Sequence, residues 1–148
     1  MLCYHFTSRQ LLPRVEAEGI TRCGVPWILP PPPANARMMT GLQWLTVDPE
    51  FDTQTWAEPA MYAEHLMRKT DWRIDVDIPN LAEFQLFDWR DFAAAHKLPV
   101  AEYFRTFRGY QHWRIFRGKI PRAWFASRMR NPSHYVLGDV LEYGATSL

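Results

Sequence analysis

The chain has two cysteines, Cys3 and Cys23, in 148 residues. Two are too few for a disulfide framework, and no Cys or His pair has zinc-ligand spacing. Both thiols read as reduced and the protein as cytoplasmic, with a single bridge left open. Glycine is scarce, seven residues against twelve prolines, which favours stiff loops over long helices. No run approaches the roughly 20 apolar residues that a membrane span needs. The N-terminal residues are polar and aromatic, without a basic stretch leading into an apolar one, which argues against a secretory signal. A membrane is therefore not an expected partner. Acidic residues are missing from the whole segment between Tyr103 and Gly138.

That acid-free segment holds Arg105, Arg108, Arg114, Arg117, Lys119, Arg122, Arg128 and Arg130, while the earlier part of the chain carries an acidic excess. The asymmetry suggests a surface over residues 105–130 that faces an anion: a nucleotide phosphate, a nucleic-acid backbone or an acidic protein. The competing reading is a solvated face whose arginines pair with acids elsewhere. The length suits one domain spanning residues 1–148, and seven Trp and nine Phe supply much burial per residue.

Alternation predicts a strand over residues 2–7, with Cys3, His5 and Thr7 on one face and Tyr4 and Phe6 on the other. Ser8 reads as the N-cap of a short helix that uses Leu11, Leu12 and Val15 and ends near Gly19. Pro30–Pro33 is a rigid connector. Gly41–Val47 is a second strand. Trp72–Ile78 is the cleanest strand, with Trp72, Ile74, Val76 and Ile78 facing inward and Arg73, Asp75 and Asp77 outward. Arg73 and Asp75 read there as an exposed pair of little energetic weight. Helices are expected from Trp89 to His96 and from Val100 to Phe107. Further strands are expected over His112–Phe116 and Ala123–Met129, with mixed strand and turn over His134–Tyr143. This order gives an α+β fold with a small split antiparallel sheet and short helices.

Tyr4-His5-Phe6-Thr7-Ser8 on the first strand and Gly41-Leu42-Gln43-Trp44-Leu45-Thr46 after a helix and loop resemble two motifs of the ADP-ribosyltransferase family. The type is the histidine-containing one of diphtheria toxin and the poly-ADP-ribose polymerases. The resemblance implies NAD as cofactor and transfer of ADP-ribose to a protein or nucleic-acid target. It places His5 on a ribose hydroxyl with Thr7 and Thr46 close by. It gives Trp44, with Trp56 or Tyr62, as the walls around nicotinamide, and Arg114 facing the pocket for phosphate or target. The family's catalytic Glu stands at the start of a later strand, where this chain has Gln111 or His112. Glu142 and, less well placed, Glu102 are the alternative carboxylates. The RNA 2′-phosphotransferases, a related branch without that Glu, suit the arginine-rich segment. A non-enzymatic nucleotide- or nucleic-acid-binding module on the same fold, acting as an effector or inhibitor, is the further alternative.

Overall fold

A computed structural model describes residues 1–26, 38–57 and 69–133. Six strands form one sheet in the order β6-β7-β4-β1-β5-β8. They are β1 (Leu2–Thr7), β4 (Leu42–Thr46), β5 (Trp72–Asp77), β6 (Leu86–Asp88), β7 (Trp113–Arg117) and β8 (Phe125–Arg130). Two short strands, β2 (Gly24–Pro26) and β3 (Met38–Thr40), pair separately. Every pairing among the described strands is antiparallel. The helices are α1 (Leu12–Glu18), α2 (Trp89–His96) and α3 (Val100–Phe104), with single turns of tighter helix between strands. The architecture is α+β. The expected elements over Pro30–Pro33 and His134–Tyr143 lie outside the described residues.

The ladders are uneven. β1 is registered with β5 over its whole length, from Leu2↔Asp77 to Thr7↔Trp72. β4 is registered with β7 from Leu42↔Arg117 to Thr46↔Trp113. Between β1 and β4 only one pair is registered, Tyr4↔Thr46. Two well-knit halves, β1-β5-β8 and β4-β7-β6, thus meet along a nearly unpaired seam.

Each face of the sheet has its own core. On one side Cys3, Leu45, Ile74, Val76 and Phe116 pack under Leu12, Val15, Ile20 and Ile120. On the other, Leu42, Trp113 and Ile115 pack against Trp89, Phe92, Leu98 and Val100. Burying a side chain of this size contributes about 1.5–3 kcal/mol before its ordering entropy is subtracted.

The first helix starts later than its sequence suggests. Ser8 accepts from the Leu11 amide through Oγ at 3.3 Å, and its carbonyl accepts from the Leu11 and Leu12 amides. It therefore closes a turn, and the helix proper opens at Leu12 with Pro13 in its first turn, where a missing amide costs nothing. The helix stops at Gly19, whose φ of 83° is one that L side chains rarely adopt. A Cβ there would lie 2.3 Å from the Ile120 carbonyl oxygen. That close approach lets Ile20 and Ile120 form a bridge, with both backbone bonds in place.

The Arg73–Asp75 pair is not exposed. The two side chains keep only 17% and 13% of their surface, and Arg73 grips Asp75 with two hydrogen bonds of 2.7 and 3.1 Å. Arg73 also lies over the Tyr4 ring and donates to the Pro49 carbonyl, while Ser127 donates to Asp75. The loop after β4 and the neighbouring strand β8 cover what a lone strand would leave in water. Asp77, by contrast, is exposed.

Candidate functional site

A cavity of about 500 Å³ opens at the seam between β1 and β4. Its wall includes Tyr4, His5, Phe6 and Thr7 from β1 and Trp44, Leu45 and Thr46 from β4. Consecutive strand residues point to opposite faces, so the lining draws on both faces of the sheet. That is what a nearly unpaired seam permits.

His5 spans the seam. Its Nδ1 lies 3.0 Å from the Trp44 carbonyl oxygen. A carbonyl can only accept, so Nδ1 carries the hydrogen. Burial pushes the imidazole down to about pKa 4 from its ordinary 6.5, against the opposing pull of the Trp44 carbonyl, and the Lys69 charge lowers it further. His5 is therefore neutral at physiological pH, and Nε2 presents a lone pair. His5 is half-buried and lines the cavity.

One wall is aromatic. Trp44 packs at 4.8 Å on Trp89, 5.6 Å on Trp113 and 5.7 Å on Phe104, and its indole Nε1 donates to the Gly24 carbonyl at 2.9 Å. Trp56 joins that wall, donating through Nε1 to the Gln54 side chain. Another part of the lining comes from α1 and the segment after it, and it carries Arg14, Arg22 and Cys23. That segment is anchored by β4. Gln43, fully buried, accepts from the Cys23 amide at 3.1 Å and donates to the Gly118 carbonyl at 3.0 Å. Lys69 lines the cavity as well, and no acidic residue is among its described lining.

His5, Thr7, Trp44, Thr46 and Trp56 thus surround one space. Arg114 does not reach it. The β6–β7 register places Asp88 opposite Arg114, and the two form an ion pair at 3.5 Å. Arg114 was expected to face the pocket, and it is absent from the described lining. Gln111 and His112 are not at the start of a strand but in the tight turn Tyr110–His112, held where the His112 carbonyl accepts from the Val47 amide. They line a second, shallower depression with Asp48, Thr53, Arg108 and Tyr110. Phe107 is common to both spaces and stands between them. Glu102 is exposed on α3 and paired with Arg105. Tyr62 and Glu142 lie outside the described residues.

Four of the eight cations in the arginine-rich segment have a partner described here. Arg105 pairs with Glu102, Arg114 with Asp88 and Arg128 with Glu16, while Arg117 lies over the Phe87 ring. The solvated-face reading accounts for these. Sequence reasoning passed over the cations that do line the cavity. Their signal was present at Arg14, which neighbours Val15, a buried residue that docks α1 on the sheet.

No family model, curated protein or solved structure matches this chain. The two thiols, Cys3 buried and Cys23 half-buried, are unbridged. Among the described residues no helix is long and apolar enough to cross a membrane, and no His, Cys, Asp and Glu group has the form of a metal site.

Proposed function

We propose that the chain binds NAD in the seam cavity and is an ADP-ribosyltransferase-like protein acting on a protein or nucleic-acid target in the cytoplasm. One observation carries this reading: His5, Thr7, Trp44, Thr46 and Trp56, far apart in sequence, converge on a single cavity. The chemistry of that convergence suits the ligand. A flat cationic nicotinamide ring stacks on indole. A ribose hydroxyl donates to the free lone pair of His5 Nε2, and Thr7 and Thr46 offer hydroxyls beside it. The acceptor approaches past Phe107, from the depression lined by Gln111 and His112.

A second reading has its own support. Cleavage of the nicotinamide–ribose bond builds positive charge, which a carboxylate stabilises, and the described lining holds none. A nucleotide-binding module without transfer, or an RNA 2′-phosphotransferase-like activity, needs no such carboxylate.

Titration with NAD, followed by tryptophan fluorescence, tests binding, since Trp44, Trp56 and Trp113 all line the cavity. Saturable quenching that His5→Ala removes, together with nicotinamide release, is the expected result. Binding without nicotinamide release selects the module. A folded His5→Ala variant that binds NAD like the wild type overturns the reading.

A further inference from the structure

The charged groups in the described lining of the cavity are all of one sign. Arg14 projects from α1, Arg22 from the segment that Gln43 anchors, and Lys69 from the residues just before β5. Three separate stretches of chain thus bring cations to one space. Arg14 and Arg22 are exposed and so stand where the wall meets solvent, while Lys69 is half-buried. Arg22 is held by Glu18 at 3.2 Å, and that pair is itself largely in water. Arg14 has no ion pair among the described residues.

These charges act on one another. Burial lowers the pKa of Lys69, the nearby Cys23 opposes that shift, and Arg14 adds to it. Lys69 and Arg14 both act on Cys23, and Lys69 acts on His5. Of these cations, Lys69 lies within electrostatic reach of the imidazole. Like charges gathered at a low-dielectric wall repel, and a bound anion relieves that repulsion while gaining charge-assisted hydrogen bonds.

We infer that Arg14 and Lys69, with Arg22 at the rim, form an anion subsite that takes the diphosphate of the nucleotide bound in the cavity. The identity of the ligand rests on the NAD reading above; the anion subsite itself does not. Base and ribose then lie against the indoles and His5, and the phosphates lie toward the cations of α1 and Lys69. Arg114 and the other cations of residues 105–130 are not in the described lining.

Inorganic pyrophosphate is the direct probe, read by tryptophan fluorescence and by calorimetry beside ADP-ribose, NAD and the phosphate-free control nicotinamide riboside. The wild type should bind pyrophosphate and ADP-ribose with an affinity that falls steeply as salt rises. Arg14→Gln and Lys69→Met should each weaken both ligands by about tenfold, in keeping with loss of one charge-assisted contact. Arg14→Lys should restore most of the Arg14 loss, and Arg117→Gln should change nothing. Nicotinamide riboside should bind all variants alike. Pyrophosphate binding that needs Arg14 and Lys69, without any NAD binding, would uphold the subsite and remove the dinucleotide. NAD binding unchanged in both variants, with no pyrophosphate binding, would overturn the subsite and leave the NAD reading standing. A phosphorylated RNA oligonucleotide that displaces ADP-ribose at a tenth of its concentration (about tenfold tighter) would overturn the assignment to a free dinucleotide.

Discussion

The imidazole of His5 donates from Nδ1 to the main-chain carbonyl of Trp44 at 3.0 Å, across the seam where β1 and β4 share one registered pair. A side chain thus does at this point what a ladder bond does elsewhere in the sheet. It holds the two halves together while leaving the space between them open.

The burial of that imidazole makes stability pH-dependent. The folded imidazole has a pKa of about 4 against an ordinary 6.5, so between these values the unfolded chain takes up a proton that the folded chain refuses. Protonation then favours unfolding. The contribution is complete above the higher value and is lost as pH falls toward the lower, by up to about 3 kcal/mol. Urea unfolding of wild type and His5→Gln at neutral pH and near pH 4.5 (roughly the lower end of the window) checks it. The wild type should lose more on acidification than the variant; parallel losses would show that His5 is not held neutral.

Gln43 has no water to turn to if its partners go. Gln43→Leu leaves the Cys23 amide and the Gly118 carbonyl without the bonds they now make. Unfolding free energy should fall by about 2–4 kcal/mol. Because the same bonds anchor the segment that carries Arg22, ligand affinity at the cavity should fall as well. A variant with wild-type stability would mean that both groups find other partners.

Gly19 is replaceable in neither space nor conformation. Gly19→Ala combines a φ of 83° with a Cβ 2.3 Å from the Ile120 carbonyl oxygen. The bridge between Ile20 and Ile120 must open to admit it. A loss of about 2–4 kcal/mol is expected by thermal or urea unfolding. Gly41→Ala is the matched control: its φ is 71°, yet nothing lies within 4 Å of the added carbon. It should cost only about 1–2 kcal/mol.

Asp75 supports the sheet rather than the solvent layer. Asp75→Ala strips Arg73 of its bidentate partner in a setting where Arg73 keeps 17% of its surface, and it frees Ser127. A loss of about 2–4 kcal/mol should follow, well above the fraction of a kcal/mol typical of exposed pairs. Replacing both residues, as Arg73→Met with Asp75→Leu, should recover part of it. A single-variant loss below about 0.5 kcal/mol would return the pair to the surface class.

Much of the sheet was legible from alternation. Trp72, Ile74, Val76 and Ile78 read as one apolar face, and all four are buried. The first strand over Leu2–Thr7 was legible too, as were the second, expected over Gly41–Val47 and found over Leu42–Thr46, and α2 from Trp89. Helix α3 ends at Phe104 rather than Phe107. The local pattern carried no sign that the chain would turn there and place Phe107 between two cavities. Pairing was not legible at all. Alternation says that Arg114 points away from Trp113, but only the β6–β7 register says that Asp88 stands opposite it.

The residue order by itself determined the α+β class, the inward faces of the strands, the end of α1 at glycine and the chemical types brought to the first and fourth strands. Those follow from backbone periods and from local sterics, which act over a few residues. The tertiary structure alone decided that β1 and β4 would meet through a single registered pair, that His5 would close the gap, and that Arg14, Arg22 and Lys69 would gather where Arg114 was expected. Strand register and the convergence of distant segments depend on which long-range pairings bury the most apolar surface and satisfy the most hydrogen bonds together, and no window of sequence contains that sum.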